Sequence, residues 1–174
     1  MEAHGQNAIE FGRFGRQLFS LSKVLAIAGG LAMVAIVALA IVSIVGRKLA
    51  ATPVTGDVEI MQFIAAPAIA CFFAYCHLID GDVRVDFVSD HLPPGFQRAL
   101  KIAGSALLGF IAALLAWRTA VGAVSLFEAG ETSALLSWRI WISQALVVPG
   151  FALQAVAGLY MASYYAAAAK KAAP

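Results

Sequence analysis

VLAIAGGLAMVAIVALAIVSIV, residues 24–45, carries no charged and no amide side chain. A helix rises 1.5 Å per residue, so this run reaches about 33 Å, enough to cross the ~30 Å hydrocarbon layer of a bilayer. In lipid the backbone must satisfy its own N–H and C=O groups, which makes such a run a helix. Three further apolar runs follow. One covers about residues 60–79, interrupted by Gln62 and Pro67. Another covers about 102–127, with Arg118 inside it. The last covers about 140–165, with Pro149 and Gly150 in its first half. The alternating ten-residue segments of a closed β-barrel are absent. Composition agrees: 61% of the 174 residues are hydrophobic and 13% charged, against about 25% charged in an ordinary soluble domain. The expected fold is all-α and integral to the membrane, a single membrane domain over residues 1–174.

The segment before the first run has a different pattern. Over residues 9–23, Phe11, Phe14, Leu18 and Leu21 share one side of a helical wheel, and Arg13, Arg16, Ser20 and Lys23 the other. That distribution predicts an N-terminal amphipathic interfacial helix, its cations toward anionic membrane lipids and its aromatics in the acyl boundary. The other reading is a plain extension of the first span. Met1 to Ser22 has no early apolar stretch with a cleavage site, so no signal peptide is expected. Lys and Arg counts set the orientation. With the N-terminus inside, the inner segments hold Arg13, Arg16, Lys23, Arg84, Arg98, Lys101, Lys170 and Lys171. The outer ones hold Arg47, Lys48 and Arg139, with Arg118 near the outer end of the third helix. Both termini are therefore expected in the cytoplasm.

Catalytic chemistry finds little to use. The three histidines are His4, His77 and His91, which form no Ser-His-Asp set and offer one helical ligand where a membrane haem needs two. Cys71 and Cys76 are five apart, about 140° around a helix, so they neither bond to each other nor join His77 around zinc. No Gly-rich loop ends in Lys-Ser or Lys-Thr. No enzyme activity, cofactor, metal or nucleic-acid partner is expected. A carrier working by itself is not expected either, because a proton-coupled one wants a carboxylate at mid-membrane, and none of the four runs has one.

The remaining polar residues have bland and sharp readings. Asp57 and Glu59 precede the second run, where acidic groups favour a helix's dipole and cap its amides. Alternatively Glu59 pairs with Arg47 or with a partner protein. Arg118, next to Trp117, reads as snorkelling to the outer interface beside an aromatic anchor. Trp138 and Trp141 read as anchors of the same kind. Gly29 and Gly30, and Gly104 with Gly109, suit close helix contact. Pro67 removes one backbone bond and predicts a kink facing other helices.

The order of these pieces resembles one family, the small (Q-type, DctQ-like) membrane subunit of TRAP transporters, the tripartite ATP-independent periplasmic transporters. The pieces are Gly46-Arg47, Pro53-Val-Thr-Gly56, Glu59 opening the second helix, and Gly81-Asp-Val-Arg-Val-Asp86. Glu131-Thr132, Trp141 and Pro149-Gly-Phe-Ala-Leu153 complete the match, which covers about residues 20–165. Asp82 stands where the family usually has His, and Arg139 where Pro often precedes the Trp. The resemblance implies a bacterial inner-membrane scaffold that braces a large multi-span subunit carrying the substrate and sodium sites. A periplasmic binding protein would deliver an organic acid to that pair. Arg47, Glu59, Asp82, Arg84, Asp86, Arg118 and Trp141 are the candidate structural or interface residues. The alternative is a membrane-anchored assembly or sensor protein unrelated to transport.

Overall fold

The computed structural model describes residues 13–50, 55–79, 81 and 94–171. They form four helices: α1 (Arg13–Ala50), α2 (Asp57–Leu78), α3 (Pro94–Ala129) and α4 (Ile140–Lys171). All four are long and apolar enough to cross a membrane, with mean hydropathy of 1.6 to 2.7. Among the described residues the expected separate interfacial helix is not seen. From Arg13 onward that segment is the first part of α1, continuous with the span. Nothing between Arg16 and Ala28 is a Pro or Gly, so the backbone bonds run on without a break. Arg13, Arg16 and Lys23 are exposed and Leu18 is buried, yet Phe14 and Leu21 are exposed too. Phe11 lies outside the described residues.

The helices do not close into a four-cornered bundle. α2 packs on α1 and on α4, and α3 packs on α4, so they stand in a row in the order α1, α2, α4, α3. Lipid tails are as apolar as Leu, so no hydrophobic drive closes the bundle; close-packed small residues decide the contacts instead. On α1 the buried positions Gly15, Ser22, Gly29, Ile36 and Ser43 recur every seven residues, a narrow seam for its one main neighbour. Leu31 and Val34, off that seam, are about two-thirds exposed. On α3 the buried residues Ser105, Gly109, Ala112 and Ala123 form the corresponding stripe toward α4.

Four contacts act as rungs and fix the register. A Cβ on Gly29 would meet the Ala68 carbonyl oxygen at 2.7 Å, and one on Gly150 would meet Ala70 at the same distance. A Cβ on Gly158 would meet the Gly109 Cα at 2.6 Å, and one on Gly122 the Gln144 amide at 2.9 Å. At the first three the two backbones are closer than a side chain allows, and at Gly122 the Gln144 side-chain amide takes the space of a Cβ. Gly29 and Gly109 thus make the close contacts expected of them. Gly104 faces open space, and Gly30 has nothing nearer than Phe72 at 4.0 Å. Spacing alone could not tell a glycine on the seam from one off it.

α2 runs unbroken through Pro67. Proline lacks the N–H that would bond the carbonyl four residues back, which is that of Phe63. The Ser143 hydroxyl on α4 donates to this carbonyl at 2.6 Å. The freed acceptor is satisfied by a neighbouring helix, as the absence of water in lipid requires. At the helix ends opposite the α3–α4 loop, where α1 also touches α4, Leu18, Ala74, Leu78, Ala157 and Met161 form the buried cluster, joined by Phe19, Leu153, Tyr160 and Tyr165.

Candidate functional site

The polar residues concentrate where α1 ends, α2 begins and the α3–α4 loop turns. Gly56 adopts φ +77°, a left-handed conformation that glycine takes without a Cβ clash, and its carbonyl accepts the first helical bond from Ile60 at 3.0 Å. Asp57 follows. One of its oxygens accepts from the Val58 N–H at 2.8 Å. The other accepts from the Ser43 hydroxyl and lies 3.5 Å from the Arg47 guanidinium. Ser43 and Arg47 are one helical turn apart, so both reach the same carboxylate from α1. Arg47 therefore pairs with Asp57, not with Glu59. Its side chain is 63% exposed, so the contact aligns the two helix ends more than it stabilises them.

Glu59 serves a different neighbour. Its carboxylate accepts from the Ser133 hydroxyl at 2.8 Å and from the Leu135 and Leu136 N–H groups at 2.9 and 3.0 Å. Residues 133–137 form a single turn whose leading amides have no partner within the turn, and the carboxylate of α2 supplies it. The Ser133 N–H bonds the Trp138 carbonyl at 2.8 Å, and Ser137 takes φ 54° to close the turn. Leu136 fits over Gly56, where a Cβ would stand 2.8 Å from its side chain. Trp138 meets Phe63 edge-on at 5.5 Å. One carboxylate on α2 thus organises the whole connection between α3 and α4.

The other candidate residues are more dispersed. Trp141, in the first turn of α4, packs edge-on to Phe127 at 5.4 Å. These two rings, with Gly130, Glu131, Thr132 and Arg139, line a cleft of about 330 Å³ at the loop end. Asp82, Arg84 and Asp86 lie outside the described residues. Arg118 is exposed on α3, eleven residues before its end. The rungs give its depth. Gly122 meets Gln144, so Arg118 stands level with about Val148 on the antiparallel α4. α4 runs alongside α2 with an offset of 80 residues, which brings Val148 level with Ala68, the residue that meets Gly29. Arg118 therefore shares a level with Gly29, Ala68 and Val148, well away from the loop end of its helix. Among the described residues no group of three His, Cys, Asp or Glu is placed to hold a metal ion.

No curated protein and no solved structure gives a significant match to the chain. The family model of the DctQ component of tripartite ATP-independent periplasmic transporters matches residues 36–166, about three quarters of the length. That family is a transporter component and not an enzyme family, and it works with a large membrane subunit and a periplasmic binding protein. The match sets aside the assembly or sensor reading. It also agrees with four apolar helices in a multi-pass protein of the inner membrane. The chain belongs to the DctQ family, the small membrane component of TRAP transporters.

Proposed function

We propose that this chain is the non-transporting scaffold subunit of a sodium-coupled TRAP transporter for organic acids. In this reading it braces the large subunit, in which substrate and sodium bind, and a periplasmic binding protein delivers the substrate. The observation that carries the reading is backbone-on-backbone packing at the rungs Gly29–Ala68, Gly150–Ala70 and Gly109–Gly158. Helices held that closely have no slack for sliding, which suits a part that stays still while another moves. The Asp57–Arg47–Ser43 cluster and the Glu59 turn add polar ties at one end. The excess of Lys and Arg in the segments assigned to the inside supports cytoplasmic termini. In that orientation the segment 81–86, with Arg84 between Asp82 and Asp86 in the sequence, is a docking segment on the cytoplasmic side.

Reconstitution tests this. Liposomes holding the small and large subunits, given binding protein, an organic acid and an inward sodium gradient, should take up substrate. Liposomes with this chain alone should take up none. Sodium-driven uptake by the chain alone would refute the scaffold role.

A further inference from the structure

We propose that the α3 face centred on Arg118 docks a transmembrane helix of the large subunit that presents a carboxylate at mid-bilayer depth. The proposal rests on the small-subunit reading and adds to it which helix makes the contact and through what chemistry. The depth comes first. α2 is a natural ruler, because Glu59 and Asp80 bracket the charge-free run 60–79, about 30 Å long. Ala68 lies near the middle of that run, and the rungs put Arg118 level with it. The loop-end charges Glu59 and Arg139 are then nine residues from this level, about 14 Å away. Glu128, on the same helix as Arg118, is ten residues on, about 15 Å.

The direction of the side chain comes next. In a helix the Cα–Cβ bond tilts toward the N-terminus, so Arg118 leans away from the nearer, loop end. The opposite end of α3 is farther, with Lys101 seventeen residues back, while on α1 Lys23 is six residues from the Gly29 level, about 9 Å. Along α3 itself neither end is within reach of the side chain. Among the described residues no carboxylate pairs with Arg118: Asp57 holds Arg47, Glu59 holds the α3–α4 loop, and Glu128 and Glu131 are beyond reach. Yet the residue is exposed, on the side of α3 away from α4.

The surroundings of Arg118 select the partner. Ile111, Leu114, Leu115 and Val121 share its stripe, and each is 43 to 49% exposed. An apolar stripe with one cation at its centre fits an apolar helix with one anion. Ionisable groups at this depth face protein or a water-filled cavity and pair with an opposite charge. A second copy of this chain does not fit, since it would set two arginines against each other. Lipid headgroups do not fit either, as their phosphates lie about 15 Å away at the membrane surface.

The test uses the tagged chain co-expressed with its large subunit. A photoreactive phenylalanine analogue replaces Leu114 or Val121 on α3, or Leu31 on the exposed side of α1. Adducts with the large subunit are expected from positions 114 and 121. Arg118→Leu removes a cation from the membrane, so the variant should accumulate as well as the parent, yet recover at least tenfold less large subunit. Arg118→Lys should keep most of the recovery. Full recovery with Arg118→Leu, or only lipid adducts at 114 and 121 while position 31 captures the large subunit, would overturn the proposal and leave the scaffold reading standing. A parent chain that recovers no large subunit would overturn both.

Discussion

Glu59 and Arg47 occupy neighbouring levels of the structure, but their partners differ for a geometric reason. Arg47 is on the last turns of α1, and Asp57, at the first position of α2, is the carboxylate it meets. Glu59, two positions further, points to another side of α2 and meets the turn at 133–136. The sequence shows Arg47, Lys48, Asp57 and Glu59 near one boundary, and nothing in their spacing says which carboxylate takes which partner. The roles should separate experimentally. Glu59→Ala should raise amide exchange at Leu135 and Leu136 by an order of magnitude or more and loosen the loop, whereas Asp57→Ala should leave those amides protected. Equal exchange in the two variants would remove Glu59 from its role as organiser. Ser143 admits a sharper check. Ser143→Ala leaves the Phe63 carbonyl without a donor, a loss of about 0.6–1.7 kcal/mol for a hydrogen bond between membrane helices. In a Pro67→Ala background the helix supplies its own N–H to that carbonyl, so the same change should cost almost nothing. Thermal unfolding in detergent of the four proteins in this cycle reads the coupling directly. Half of this contact is legible in the sequence, since Pro67 names the carbonyl it frees. The donor lies 80 residues on, and only tertiary register brings it there.

Elements show the same division. The charge-free run at 24–45 and its three successors identify the helices, because burial in lipid imposes length and apolarity on each span separately. Their ends follow a different rule. α1 and α3 extend to 38 and 36 residues, well past the hydrocarbon, since good helix formers continue until a breaker stops them. Hence the expected interfacial helix merges into α1. The level of Arg118 follows the same rule. The run 102–127 puts it toward the outer end, and register with α4 and α2 puts it beside Ala68. Which glycines matter depends on the same registers. Gly158→Ala should lower stability by about 1–3 kcal/mol, because a methyl there meets the Gly109 backbone. Gly104→Ala, about 140° around α3 from Gly109 and in open space, should be neutral or raise stability by up to about 1 kcal/mol through helix propensity. Unfolding midpoints of the two variants check the contrast. A neutral Gly158→Ala would mean that the two helices stand far enough apart for a Cβ at Gly158 to clear the Gly109 Cα.

For the molecule as a whole, the row α1, α2, α4, α3 means that every helix keeps a side for lipid or for another protein. Length and hydropathy reveal four crossings, yet they carry no information on lateral order. That order comes from where small residues line up, and the seven-residue recurrence Gly15, Ser22, Gly29, Ile36, Ser43 is its clearest trace in the sequence. The Glu59 turn also has a meaning in time. The ribosome delivers Glu59 long before its partners, which lie 74 to 77 residues later in the chain. At synthesis rates of roughly 5–20 residues per second, the carboxylate stands open for roughly 4–15 s while α3 is still being made. Only a chain whose third helix and the turn after it have been made can occupy it. The residue that organises a loop in the finished protein thus marks, during biogenesis, the moment at which the turn that leads into the fourth helix has arrived.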